Sequence, residues 1–306
     1  MSPVLLVAPD KFRGTLSAPE VVRAVADAAA PLGWEVVALP MADGGEGMLD
    51  AFGGSNRTST VTGPDGTPVH AAWRLDGDTA VLECSAASGL VLAGGSATTD
   101  GGLGAVEAVL ARLAGRRPAD LGVDLVGACD VQTLFTDAAR VFGPQKGASP
   151  AQVLELTDRL ATLQDRYAVQ HAVDLSAVPG GGAAGGLGGG LVALGARLVP
   201  GLQLVAEQVG LADAMARADA VLTGEGALDA ESFNGKAVGG VAEEAQRHGI
   251  RPLVVAGTVR PDAPADRLAG LEVVDLSATY GPDASWERTA WCIGEAVRTR
   301  LGAPPA

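Results

Sequence analysis

Lysine occurs only three times in the 306 residues, at Lys11, Lys146 and Lys236, and arginine supplies the rest of the 22 basic groups. Each lysine lies beside or near glycine, and several segments of the chain combine glycine with carboxylates, hydroxyls or one of these lysines. The segments are Asp10-Lys11-Phe12-Arg13-Gly14-Thr15, Asp43-Gly44-Gly45-Glu46-Gly47, and Gly94-Gly95-Ser96-Ala97-Thr98-Thr99-Asp100-Gly101-Gly102. Two more follow, Phe142-Gly143-Pro144-Gln145-Lys146-Gly147 and Thr223-Gly224-Glu225-Gly226-Ala227-Leu228-Asp229 with Gly235-Lys236 behind it. Glycine frees backbone amides to approach phosphate oxygens, and a compact ammonium neutralises them. Asp and Glu can hold Mg²⁺ or accept a hydroxyl proton, so the set suits phosphoryl transfer, which rests on positioning and electrostatics. Any one of these segments reads equally well as a turn; five of them directly beyond strands do not.

Other chemistries lack their residues. Gly235-Lys236 is followed by Ala237 and lacks the upstream glycine of a nucleotide-binding P-loop. Residues 180–185 satisfy G-x-G-x-x-G inside a glycine-rich run with no strand before it, which makes the match nearly free. Residues 94–98 miss the last glycine of a nucleophile elbow. His70, His171 and His248 are isolated, and Cys84 and Cys129 follow apolar runs as small buried side chains.

The elements that must position these segments alternate. Residues 4–8 read as a buried parallel strand, Ser17 to Glu20 as a capping box opening a helix over 18–30, residues 34–39 as a second strand, and residues 48–52 as the start of a helix. Residues 59–83 change grammar to an antiparallel meander, which suggests a second domain inserted in the first. Helix 103–113, strand 124–129 and a capped helix from Pro150 to about Tyr167 follow. Residues 179–190 predict a glycine-rich helix start packed closely on a neighbour. Strands at 220–222 and 253–256 flank a helix over 237–248, so the opening pattern returns. This grammar predicts a parallel sheet with ligand groups in the loops after its strands.

Composition bounds the rest. Glycine is 43 of 306 residues, roughly twice the usual ~7%. A formal charge of −14 opposes nucleic acid and anionic lipid, and 47% hydrophobic with 19% charged residues supports a packed core. No apolar run is long enough to span a bilayer. Three dispersed cysteines without metal spacing predict a reduced, cytoplasmic chain.

Residues 8–17 (Ala8-Pro9-Asp10-Lys11-Phe12-Arg13-Gly14-Thr15-Leu16-Ser17), Ala42 with residues 43–47, and residues 94–102, 141–148 and 223–236 resemble, in that order and over nearly the whole chain, the type I glycerate kinase family. The resemblance implies ATP- and Mg²⁺-dependent phosphorylation of the small molecule D-glycerate, most often to 2-phosphoglycerate. It implies a two-domain α/β fold, a flavodoxin- or Rossmann-like parallel-sheet domain interrupted by a mixed α/β domain, with the site in the cleft. The expected spans are 1–56 plus 203–306, and 57–202. The expected catalytic residues are Lys11, Asp43, Lys146 and Lys236. Asp10, Arg13, Gly95, Ser96, Thr98, Gly101, Gly102 and Glu225 are expected to bind substrate or phosphate, and Glu46, Asp100 and Asp229 the metal. Nucleic acid and membrane are not expected partners, and a homo-oligomer is left open.

Two departures stand out. The family commonly has Ser where this chain has Lys11, and Lys where it has Arg13. Between Leu90 and Gly94 the family normally carries about one more strand-and-helix unit, either deleted here or absent from this sequence. Two rival functions remain: a non-catalytic hydroxy-acid-binding protein of the same fold, and a NAD-type hydroxy-acid oxidoreductase, which needs a dinucleotide fingerprint and a proton-handling histidine.

Overall fold

The computed structural model describes residues 2–12, 14–44, 46–63, 66–84 and 98–302. Arg13, Gly95, Ser96 and the short Leu90–Gly94 connection lie outside the described residues. The described strands are β1 (Val4–Val7), β2 (Glu35–Ala38), β3 (Arg57–Thr62), β4 (Pro68–Asp76), β5 (Thr79–Leu82), β6 (Val126–Ala128), β7 (Arg197–Val199), β8 (Ala220–Leu228), β9 (Leu253–Val259) and β10 (Glu272–Asp275). The chain divides into two compact units, residues 1–55 with 202–306, and residues 56–201.

In the first unit every strand pair is parallel, in the order β10-β9-β8-β1-β2. The side-chain period of two sends alternate residues to opposite faces, and both faces are covered. Leu253 and Val255 pack with Val21 and Val25 of helix Ala18–Ala29 and Ile293 and Val297 of helix Thr289–Arg300. Val254 and Ala256 pack with Val238 and Ala242 of helix Ala237–Arg247. This is the doubly wound α/β arrangement expected from the alternating pattern. Helix Ala18–Ala29 starts where the capping box places it, with Glu20 accepting the Ser17 amide at 2.8 Å.

One stretch differs from its sequence reading. Residues 223–228 look like a glycine-rich loop but continue β8, paired with β9 from Leu222↔Leu253 to Leu228↔Val259. Gly224 is required because a Cβ there would lie 2.2 Å from the Val255 carbonyl oxygen. Close backbone approach in a central strand explains the residue better than a turn does.

The second unit holds the antiparallel sheet β3-β4-β5, the parallel pair β6-β7, and a helical core. Phe135, Leu160, Leu163 and Tyr167 are buried together with Val106 and Leu175. The glycine-rich run closes on this core. A Cβ at Gly189 would lie 2.3 Å from Phe135, and one at Gly186 would lie 2.7 Å from the Gly101 Cα. Residues 184–186 have left-handed dihedrals ahead of the regular helical turns, Ala184 included.

Candidate active site

In a doubly wound sheet, ligands bind beyond the carboxyl ends of the strands where the strand order reverses. Here the chain moves from β1 outward to β2 and later returns to β8 on the other side of β1, so the reversal lies between β1 and β8. Asp10 and Lys11 follow β1, Asp43 and Glu46 follow β2, and Glu225 lies in the last half of β8 with Asp229 just beyond it. Three bonds lock the junction: Ala8 N donates to the Leu222 carbonyl at 2.9 Å, Asp10 N to Gly224 at 2.9 Å, and the Thr223 hydroxyl to Ala8 at 2.8 Å. Asp10 and Glu225 are therefore presented by hydrogen-bonded strand ends.

Asp10 and Glu225 are the most buried of these acids. Burial, and next the Asp43 carboxylate, raise the Asp10 carboxyl to about 6, against the pull of Lys11 and Lys236. Burial also raises Glu225 to about 7, with Asp10 and Asp229 adding to the rise and Ser232 and Lys236 opposing it. The Oε1 atom of Glu225 is buried with no hydrogen-bond partner among the described residues. Two ammonium groups face these acids. Lys11 Nζ lies 3.7 Å from a Glu46 carboxylate oxygen and donates to the Glu46 carbonyl, and Lys236 Nζ lies 3.9 Å from Asp43 Oδ2. Asp229 is partly engaged in its own loop, accepting from the Glu231 and Ser232 amides at 3.0 and 3.2 Å.

The unpartnered buried oxygen of Glu225, with Asp10 of raised pKa acting on the same carboxyl, makes an environment that a cation relieves, since a nearby positive charge favours the ionised form. The donors are hard oxygens of the kind Mg²⁺ takes. No group of three or more His, Cys, Asp or Glu side chains is arranged as a metal cage among the described residues. The donor set therefore fits an ion held by one or two carboxylates with water and phosphate completing its shell.

The second unit carries Thr98, Asp100, Gly101, Gly102 and Lys146. Lys146 Nζ donates to the Thr98 carbonyl at 2.6 Å, and its pKa is lowered by burial, against the charge of Asp100. Lys146 also borders an open depression of about 500 Å³ with Thr99, Gln152, Glu155 and Arg159. The amides expected to cradle phosphate are otherwise engaged at two positions. Gly101 N donates to the Gly185 carbonyl at 3.0 Å and Gly102 N to Asp100 Oδ1 at 3.3 Å. Both glycines have positive φ, and a Cβ on Gly101 would lie 2.5 Å from Leu163. They are close-packing residues.

The structure thus brings together Asp10, Lys11, Asp43, Glu46, Glu225, Asp229 and Lys236 in the first unit, and Thr98, Asp100 and Lys146 in the second. Residues 180–185 turn out to be packing as well, Gly180 against Cys129 and Gly185 against the Thr98 carbonyl, so the G-x-G-x-x-G match has no dinucleotide geometry behind it. Sequence reasoning missed Ser232, buried between Asp229 and Glu225, and Tyr167, whose buried hydroxyl donates to Gly101. Tyr167 follows Leu160 and Leu163 at helical spacing, a signal that marks a core position and nothing more.

The glycerate kinase family model matches residues 5–93 and 112–280. The chain is 34% identical to the glycerate 2-kinase of Escherichia coli (strain K12), over 88% of this chain and 89% of that protein. It is 32% identical to the glycerate kinase of Bacillus subtilis (strain 168), over 96% and 97%. A solved structure assigned as glycerate kinase 2, from Salmonella typhimurium LT2, superposes with a TM-score of 0.78 at 28% identity, covering 98% of this chain and 97% of that one. The first two alignments run over 339 and 372 positions, more than the 306 residues of this chain. Both relatives therefore carry internal residues with no counterpart here.

Proposed function

The chain belongs to the glycerate kinase family, and from that premise we propose that it transfers the γ-phosphoryl group of ATP in line to a hydroxyl of D-glycerate, giving 2-phosphoglycerate. The family match carries the reading, because it spans the loops that bear Asp10, Asp43, Lys146, Glu225 and Lys236. A buried acid cluster with facing lysines at the strand-order reversal supports it.

Substrate glycerate is an anion, and Lys11 is the fixed cation that receives its carboxylate in an otherwise acidic unit. Asp43 orients the attacking hydroxyl and takes up its proton, while Lys236, 3.9 Å from Asp43 Oδ2, helps to hold that carboxylate in place. Lys146 neutralises charge on the phosphoryl oxygens as transfer proceeds. Asp10 and Glu225 would hold Mg²⁺, which would supply positive charge against the nucleotide phosphates, while Glu46 and Asp229 lie at the rim of the acid cluster. Asp100 acts through its charge on Lys146.

A coupled assay for ADP, with and without D-glycerate and with ATP and Mg²⁺ present, tests the activity, and phosphorus NMR of the product tests the position phosphorylated. ADP formation that depends on glycerate, with a phosphomonoester on the 2-oxygen, is the expected result. Tight glycerate binding without ADP formation would establish the non-catalytic reading instead.

A further inference from the structure

The turn at residues 98–102 is clamped through one residue. Gly101 donates its N–H to the Gly185 carbonyl at 3.0 Å, and its own carbonyl accepts the Tyr167 hydroxyl at 3.2 Å. Tyr167 is 1% exposed and packs against the rings of Phe135 and His171, with centroids 6.1 and 5.8 Å away. Burial pushes its hydroxyl up to about 12, so it remains a proton donor throughout the physiological range. A buried hydroxyl and a buried carbonyl each cost stability when unpaired, so this bond holds its geometry firmly.

What the clamp holds is the seat of Lys146. The carbonyl of Thr98, three residues before Gly101, accepts the Lys146 ammonium at 2.6 Å, and Asp100, the residue before Gly101, acts on the same ammonium through its charge. Gly185 lies close behind, since a Cβ there would lie 2.0 Å from the Thr98 oxygen. The turn therefore has little room to move while both sides of Gly101 stay bonded. It also falls in residues 94–111, which the family match does not cover.

We infer that Tyr167 is a positioning residue for phosphoryl transfer, fixing through Gly101 the carbonyl that aims the Lys146 ammonium. The inference rests on the assignment of Lys146 to the phosphoryl oxygens. A positioning error of this kind slows the chemical step without weakening substrate binding.

The test compares purified full-length Tyr167→Phe, Lys146→Ala and the double variant in steady-state turnover of D-glycerate and ATP, alongside thermal unfolding. Tyr167→Phe keeps the ring and removes only the hydroxyl. Its kcat is expected to fall roughly threefold to tenfold, with KM for both substrates within about twofold. The double variant should be no slower than Lys146→Ala, because the hydroxyl acts only through that ammonium. Wild-type kcat in Tyr167→Phe together with an inactive Lys146→Ala would overturn the inference and leave the reading of Lys146 intact. Independent, multiplying losses in the double variant would overturn it too, as would a loss that cooling fully restores, which would assign the hydroxyl to folding alone. Near-normal turnover of Lys146→Ala would remove the assignment on which the inference rests.

Discussion

Two glycine-rich regions of this chain look alike in sequence and do opposite work. Around the β1–β8 junction, glycine lets backbones approach so closely that carboxylates and lysines are delivered from rigid strand ends with polar atoms left to act, Glu225 Oε1 among them. Around Gly101, Gly102 and residues 180–190, glycine lets helices and a turn close on Phe135, and the Gly101 and Gly102 amides bond within the chain. Glycine content therefore points to close approach, and neighbouring polar groups decide whether that approach serves a ligand or a core.

The largest effect that could break this contrast is on chemistry. Asp43→Asn is expected to lower kcat by a factor on the order of 10² to 10⁴ while the melting temperature changes little, since Asp43 is partly exposed and its ion pair with Lys236 is long, at 3.9 Å. Turnover assays beside calorimetry decide it; a variant with wild-type kcat would make the acidic cluster structural. In the packing region the loss should fall on stability. Gly189→Ala gains up to about 1 kcal/mol of helix propensity but drives a methyl to 2.3 Å from Phe135, which is wholly buried. Overpacking costs about 1–3 kcal/mol or more, so a net destabilisation of about 2 kcal/mol is expected in urea titrations, with kcat per folded molecule preserved.

A pH titration sharpens the comparison from the acidic side. Asp10 and Glu225 have folded pKa values raised to about 6 and about 7. The folded state therefore binds their protons more tightly than the unfolded state, and their contribution to stability is greatest below the unfolded values and declines as pH rises toward 7. Without Mg²⁺, unfolding free energy should fall between pH 5 and pH 8, and Glu225→Gln should flatten that fall by about 1–3 kcal/mol. An unchanged slope in the variant would mean that Glu225 is already ionised and solvated. The smallest effect is expected at Glu155, whose 2.7 Å pair with Arg159 joins side chains 60% and 70% exposed. Glu155→Gln should shift stability by less than about 0.5 kcal/mol.

Much of this arrangement could be read from the residues, for reasons that differ by element. Helix Ala18–Ala29 was legible because Ser17 and Glu20 form a local hydrogen-bonded box, and local chemistry survives in sequence. The meander β3-β4-β5 was legible from alternation and turns. The extension of β8 through Gly224 and Gly226 was not, because only tertiary burial against β9 makes two glycines acceptable in a strand. At the site, residue types singled out Asp10 and Asp43 as groups following strands, whereas Glu225, read as a loop residue, lies within β8. Nothing local distinguished Gly95 or Ser96 from Gly101, whose amide is taken by a residue 84 positions later. Tyr167 was invisible because its partner, Gly101, comes from a distant segment.

The pairing of Val7 with Leu222 has a consequence during synthesis. At about 5–20 residues per second a ribosome needs on the order of tens of seconds to make the stretch between them. Within that interval the whole second unit, residues 56–201, is made, while β1 waits with one hydrogen-bonding edge unmatched. Nascent chains halted before residue 220 should accordingly engage holding chaperones through their first strands.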